Sequence, residues 1–439
     1  MMERLTKEKL VLAGLTVFSM FFGAGNLIFP PFLGASAGTA TWIAVAGFAV
    51  TAIGFPVLGV VAVAQSGGLD KLAGRVHPKF AFIFTLLIYL SIGPCLAIPR
   101  TASTSFEMAV VPFLKEGTSS ALMQFLYSVV FFTIAFVVAL KPDKLTDRLG
   151  KILTPILLVL IAVIFAGCII HPAGAYGTPS ETYQKAPFIK GFLEGYMTMD
   201  TIAALNFGII ISLNIKAMGI KKEADVVHET IRAGLFAGGI LLLVYSALSH
   251  VGAVTGGAFG LADNGAQTLN QAVQFLYGKA GLILLAAVFF IACLNTCIGL
   301  ISCCSKYFCT IVPKIGYRTW AFLFAFVSLI ISNAGLNKIL EISVPVLSAL
   351  YPISIVLIIL SFAFRDGKRW RAVYVCAMGL TGIIGVLLSL ETAGADILHA
   401  ELIKLPFYSY GLGWICPAAV GIVIGVIIEA IMGSLKTHE

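Results

Sequence analysis

Apolar runs long enough to cross a membrane recur along almost the whole chain, and they constrain its fold more than any other feature. In lipid every backbone polar group needs a partner within the protein, so a run that crosses a hydrocarbon layer of roughly 30 Å folds as a helix. Only 11% of the 439 residues are charged, whereas soluble domains carry roughly a quarter. The sequence therefore predicts an all-α membrane protein.

Twelve such runs are found, which predicts twelve transmembrane helices. They lie near residues 10–35, 41–64, 80–111, 120–140, 152–171, 191–215, 232–255, 281–305, 319–334, 339–363, 373–390 and 411–434. The connection 256–280 also carries apolar residues at helical spacing, which predicts a short amphipathic helix across the outer mouth of the protein.

The basic residues predict the orientation of these helices. Of the 29 lysines and arginines, 22 lie in the N-terminal segment and on its side of the membrane, six lie on the opposite side, and Arg100 lies in the third span. Cytoplasmic connections carry the excess of basic residues, so both termini are predicted to be cytoplasmic in a multi-pass protein of the cell membrane. The net charge of +8 is explained in this way and indicates no nucleic-acid partner.

The first span contains the stretch FFGAGNLIFPP, residues 21–31, which is unfavourable for a regular helix. Gly23 and Gly25 weaken the helix by roughly 1 kcal/mol each relative to alanine, and Pro30 and Pro31 cannot donate hydrogen bonds to the preceding turn. A break here would point helix N-terminal amides at a carboxylate and free carbonyls at a cation. Close packing at the glycines with a simple proline kink is the alternative.

The sixth span, GYMTMDTIAALNFG from Gly195 to Gly208, is also interrupted by polar residues, among them Thr198 and Asp200. An acidic residue within a membrane span is a functional candidate by default. Interrupted spans in the first and sixth positions are typical of a five-plus-five inverted repeat with a binding site near the bilayer midplane.

At these residues the chain resembles the branched-chain amino acid:cation symporter family. The motifs are GLTVFSMFFGAGNLIFPP from Gly14, IGPCLAIPRTASTSFE from Ile92 and the sixth-span segment above. The resemblance implies a LeuT-type fold of the amino acid–polyamine–organocation superfamily. It implies one transporter domain over 1–439, with a first repeat at about 10–171, a second at about 191–363 and two extra helices at about 373–434. It further implies uptake of leucine, isoleucine and valine by symport with sodium or protons and alternating access.

The resemblance also implies the binding residues. The amides of Ala24 and Gly25 would hold the substrate carboxylate, and carbonyls around the two breaks would bind its ammonium group. Together with the residues that the two breaks themselves indicate, the predicted substrate set is Phe22, Gly23, Ala24, Gly25, Asn26, Tyr196, Met197, Thr198 and Asp200. The cation set is Ser19, Phe22, Ala292, Asn295 and Thr296, in which a small hydroxyl residue would be more usual than Asn295.

Two charged side chains within the spans need a role. Asp200 could carry the coupling proton or bind the substrate ammonium. Arg100 is a candidate gating residue. The alternatives are a structural ion pair, or a side chain that snorkels to the outer membrane interface.

Around the two breaks the side chains are mainly apolar, and no lysine or arginine lies near them in the sequence. This predicts an aliphatic or aromatic amino acid, since nothing there would pair with an acidic side chain.

Other classes of protein are less compatible with the sequence. No HExxH, GxSxG or group of histidines indicates a membrane-embedded enzyme, and two unlike broken helices are unusual for a channel. A same-fold transporter for another amino acid, a polyamine or a nucleobase stays open. We expect no cofactor and no metal beyond sodium. The expected partners are the small substrate and the lipid bilayer, with no obligatory protein partner.

Overall fold

The computed structural model describes residues 4–115, 117, 119–140, 142–367, 369–395 and 398–436, and their side chains except those of 142–154 and 433–436. Six basic residues used to predict the orientation have side chains outside this description: Lys141, Lys144, Arg148, Lys151, Lys368 and Lys436. The described part of the chain is helical, without a β-strand.

Nineteen α-helices follow one another in the described residues. They are α1 (Lys7–Phe21), α2 (Ala24–Ala37), α3 (Thr41–Ala49), α4 (Phe55–Ser66), α5 (Leu69–Gly74), α6 (Pro78–Leu90), α7 (Ala97–Ala109), α8 (Ser120–Ala139), α9 (Pro142–Ile170), α10 (Glu181–Lys185), α11 (Pro187–Glu194), α12 (Asp200–Ala217), α13 (Glu223–Phe259), α14 (Gly265–Ile311), α15 (Tyr317–Ser332), α16 (Leu336–Ala363), α17 (Arg371–Thr392), α18 (His399–Leu402) and α19 (Ile415–Lys436).

The first and sixth predicted spans are each built from two helices, as predicted. The first consists of α1 and α2, and the sixth consists of α11 and α12 joined by a 3₁₀ turn at Gly195–Thr198. Nine helical segments in the described residues are long and apolar enough to cross a membrane, and two shorter apolar helices lie at Pro155–Ile170 and Tyr317–Ser332. The all-helical membrane architecture is confirmed, while the count of twelve spans stays a prediction.

Helix α14 is two helices joined at a kink. Gly278 has a φ of 58°, a left-handed conformation that glycine adopts at little cost. The part before the kink is the amphipathic helix predicted in the connection 256–280, and the part after it is the eighth span. Two further irregularities lie in the second and third spans, where π-helical turns occupy Val50–Gly54 and Ser91–Cys95. These turns were not predicted.

Helix α2 lies at the centre of the molecule. All of its residues except Phe32 are buried, and it packs along α13 and against α14. Small residues make this packing possible: a Cβ atom on Gly34 would lie 1.9 Å from the Ser249 carbonyl oxygen, and one on Gly252 would lie 1.9 Å from that of Pro31. The central helix is thus held rigidly by its neighbours, and the break at its N-terminus lies deep in the protein.

Candidate functional site

The break in the first span lies at Phe22 and Gly23. Both residues are extended, and α2 begins at Ala24. The Gly23 amide donates to Asn26 Oδ1 at 3.0 Å, which caps the new helix. Pro30 and Pro31 lie inside α2 and do not end it. The expectation that the prolines interrupt the span is therefore wrong, and the glycine segment alone marks the break.

The break in the sixth span lies at Met199. Its φ of 66° is left-handed, a conformation that costs an ordinary residue roughly 1–2 kcal/mol. The 3₁₀ turn ends there, and α12 begins at Asp200, whose amide is 3.4 Å from Thr198 Oγ1. The Thr198 hydroxyl itself donates to the Gly195 carbonyl at 2.9 Å.

A buried hydrogen-bond network joins the two breaks. Asn26 Nδ2 donates to Asp200 Oδ2 at 2.6 Å and contacts the Tyr245 hydroxyl. Tyr245 donates to the same carboxylate oxygen at 3.3 Å. Exposure is only 2% for Asn26, 3% for Asp200 and 0% for Tyr245. The structure therefore places two predicted substrate residues side by side and adds Tyr245 of α13, which sequence reasoning missed because one tyrosine in an apolar span carries no motif.

Arg100 lies at the two breaks rather than at the membrane surface. Its Nη1 donates to the Met197 carbonyl at 2.6 Å, and its guanidinium lies 5.4 Å from the centre of the Phe29 ring. A Cβ atom on Gly25 would lie 2.8 Å from its Nη2. The expectation that no basic side chain lies near the breaks is wrong, because the third span brings one there from a distant part of the sequence.

The alternatives for Arg100 can be compared with this geometry. The side chain is 5% exposed, so it does not snorkel to a surface. Within the described residues, no carboxylate oxygen lies within 4.0 Å of its nitrogens, so the structural ion pair is not observed. Its guanidinium instead holds a backbone carbonyl freed by the sixth-span break.

The predicted cation residues lie where the eighth span passes the first break. A Cβ atom on Gly23 would lie 3.4 Å from Thr296 Cγ2 and 3.6 Å from its Oγ1. The Thr296 hydroxyl donates to the Ala292 carbonyl at 3.1 Å. Asn295 Oδ1 is buried and has no hydrogen-bond partner among the described residues. Ser19 is half-buried in α1, one turn before Phe22.

A cavity of about 680 Å³ opens at the end of the molecule where α14 and α16 begin. Its lining includes Tyr196 and also Phe29 and Met197, the two residues that contact the Arg100 guanidinium. The lining does not include Gly23 or Asp200. Four acidic side chains and one basic side chain line it: Glu194, Asp263, Glu341, Glu391 and Lys190. The cavity is thus an acidic vestibule that does not reach Gly23 or Asp200.

Comparison with solved structures identifies the class of fold. The chain is similar to Mhp1, a nucleobase-cation-symport-1 family transporter, in a closed conformation with bromovinylhydantoin bound, with a TM-score of 0.60, 13% identity and coverage of 97% of this chain and 93% of that chain. For the inward-facing conformation of Mhp1 the TM-score is 0.58, with 12% identity and coverage of 96% of this chain and 91% of that chain. The protein therefore has the LeuT-type fold, in which the first and sixth helices are broken.

Comparison of sequences assigns the protein to a family within this fold class. A family model described as branched-chain amino acid transport protein matches residues 6–432, and the chain belongs to this family. It is 40% identical to the branched-chain amino acid permease BraB of Bacillus subtilis over 99% of both chains. It is 38% identical to the permease BrnQ of Escherichia coli over 100% of both. The expectation of a transporter rather than an enzyme is confirmed by this membership.

Proposed function

We propose that this protein imports leucine, isoleucine and valine across the cell membrane by symport with a cation, sodium or a proton. Its relatives are named as branched-chain amino acid permeases and carriers. The observation that carries the proposal for this chain is the 2.6 Å hydrogen bond between Asn26 and Asp200, which joins the two broken helices. A small molecule that contacts both breaks would be held by both halves of the fold.

The two breaks fit the two charges of an amino acid. The amides that begin α2, at Ala24 and Gly25, carry partial positive charge and suit a carboxylate. Asp200, which begins the second half of the sixth span, suits an ammonium group. Phe22, Tyr196 and Met197 supply apolar surface for an aliphatic side chain. Leucine and valine differ by one methylene, worth roughly 1–3 kcal/mol in a pocket, so a narrow preference among the three substrates is not expected.

The coupling ion has two candidate sites. The Ala292 carbonyl, Thr296 hydroxyl and Asn295 amide oxygen, with the carbonyls of Ser19 and Phe22, would supply oxygen ligands for sodium. Alternatively, the Asp200 carboxylate would carry a proton. In either case cation binding would favour the outward-open form, and spans one, two, six and seven would rock against spans three, four, eight and nine.

Uptake into proteoliposomes tests the proposal. Purified wild type should concentrate leucine under an imposed sodium gradient, a pH gradient, or both. We expect Asp200→Asn to lose uptake, and Thr296→Ala to lose the response to sodium only. Thr255→Ala is a matched control, because Thr255 also donates to a carbonyl one turn back, Val251, but lies away from the site. Wild type that concentrates none of the three amino acids under either gradient would refute the proposal.

Competition with unlabelled compounds tests the substrate class. Unlabelled isoleucine and valine should inhibit leucine uptake, while a polyamine or a nucleobase should not.

The accessibility of terminal tags tests the orientation. With both termini cytoplasmic, tags at either end should become accessible to antibody only in permeabilised cells. Tags that are accessible in intact cells would contradict the predicted orientation without changing the substrate.

A further inference from the structure

We infer that Arg100 binds the carboxylate of the substrate, so that the site holds a fixed cation and a fixed anion, Arg100 and Asp200, for the two ends of an amino acid. The inference rests on the proposed function. It adds a side chain from the third span to a site otherwise formed by the first and sixth spans.

The position of Arg100 is the first argument. Its Nη2 lies so close to α2 that a Cβ atom on Gly25 would be 2.8 Å away. Glycine at this position therefore lets the guanidinium approach the first turn of α2, beside the amides of Ala24 and Gly25. Two sources of positive charge, the helix N-terminus and the arginine, therefore lie side by side, an arrangement that favours a bound anion.

The unused donors of Arg100 are the second argument. A guanidinium has five N–H donors in a planar fork, and among the described residues that of Arg100 makes one hydrogen bond, to the Met197 carbonyl. A charged group that is 95% buried would ordinarily be fully hydrogen-bonded, and this side chain is 5% exposed. The planar fork matches the two oxygens of a carboxylate, which arginine binds in bidentate fashion.

The arrangement of Asp200 is the third argument. Asn26 and Tyr245 both hold its Oδ2 atom, which directs the carboxylate by contacts that do not involve Arg100. Arg100 and Asp200 are near enough to interact electrostatically, yet no nitrogen and oxygen of the pair lie within 4.0 Å. A zwitterion placed between them would pair both charges.

This arrangement has a consequence for specificity. A ligand that keeps the ammonium group and the leucine side chain but lacks the carboxylate would leave the buried Arg100 charge unpaired. Leucinamide is such a ligand. Replacing a gate or a purely structural arginine would weaken both ligands alike, so a selective loss of leucine binding in an Arg100 variant separates the roles.

The test is ligand binding to purified protein in detergent, with labelled leucine displaced by unlabelled leucine or leucinamide. The measurement is made at about pH 6, below the pKa of an α-amino group, so that both ligands carry the ammonium charge. We expect Arg100→Gln to weaken leucine binding about 10- to 100-fold, the range for hydrogen bonds to charged groups, and to leave leucinamide binding nearly unchanged. Arg100→Lys, which keeps the charge but loses the fork, should fall between.

Controls keep the outcomes distinct. Arg75→Gln removes an arginine that donates to the Tyr374 hydroxyl at 2.8 Å and should keep the wild-type ratio of the two affinities. Equal weakening of both ligands in Arg100→Gln would overturn the inference. If that variant aggregates, Arg100→Lys decides, and an unchanged ratio there would also overturn it. Wild type that binds no leucine would instead refute the proposed function.

Discussion

Asp200 shows how one charged residue is accommodated in a membrane span. A buried carboxylate without partners is costly, and here Asn26 and Tyr245 both contact its Oδ2 atom. These two residues come from the first and seventh spans, so the network spans three helices. A change in the protonation or the ligand of Asp200 would therefore be felt by three of the four spans that the proposed rocking motion moves together.

Tyr245→Phe tests this network at the scale of one hydroxyl. The ring, which packs edge-on against Phe48 with centroids 5.3 Å apart, would be kept while the hydrogen bond to Asp200 is lost. We expect the initial rate of leucine uptake to fall several-fold, in keeping with roughly 1–2 kcal/mol for such a bond. Tyr183→Phe is the control, because that buried hydroxyl has no partner among the described residues. Wild-type uptake by Tyr245→Phe would exclude the hydroxyl from the mechanism.

At the scale of the helices, glycine has two different roles in the first span. Gly23 and Gly25 lie at the break, whereas Gly34 lies where α2 and α13 touch backbone to backbone. Close packing of small residues is a common basis of helix association in membranes. Glycine thus serves the break at the N-terminus of α2 and the close packing of helices further along it.

Gly34→Ala should destabilise the protein without touching the site. Its new methyl group would overlap the Ser249 carbonyl oxygen, which is 1.9 Å from the Cβ position, and forcing backbones apart in this way typically costs about 1–3 kcal/mol. We expect a lower thermal denaturation midpoint in detergent. Gly239→Ala on α13, where no atom lies within 4 Å of the Cβ position, should keep the wild-type midpoint. Equal midpoints for the two variants would disprove the close contact.

At the scale of the whole molecule, the acidic vestibule leads to Phe29, Tyr196 and Met197. Its carboxylates outnumber the single lysine and favour the approach of cations. Asp200 is not part of the cavity lining, so access from the vestibule to Asp200 requires side chains to move.

Labelling of a cysteine tests whether the vestibule is open to the outside. In a background without the nine native cysteines that still transports leucine, Ser348→Cys should react with a membrane-impermeant thiol reagent added to intact cells, because Ser348 lines the cavity. Ser343→Cys on the same helix should not react, because Ser343 is fully buried. Reaction of Ser348→Cys only after permeabilisation would place the vestibule on the cytoplasmic side.

Much of the architecture follows from local features of the chain. Hydropathy locates the helices, and glycines or polar residues at 23, 25, 198 and 200 locate the two breaks. The prolines misled the prediction at one point, because α2 tolerates Pro30 and Pro31 where neighbouring helices support it. The π-helical turns of the second and third spans were not predicted, although Gly93 and Pro94 lie inside the one in the third span.

The sequence by itself determined which segments are helical in lipid and where the backbone is interrupted, because both depend on hydrogen bonding and hydrophobicity over a few neighbouring residues. Only the tertiary structure decided which side chains meet at those interruptions. Arg100 and Tyr245 lie far from residues 22–26 along the chain, and a small rotation of either helix would turn them away. Their place beside the breaks is set by the packing of whole helices, which no short stretch of sequence encodes.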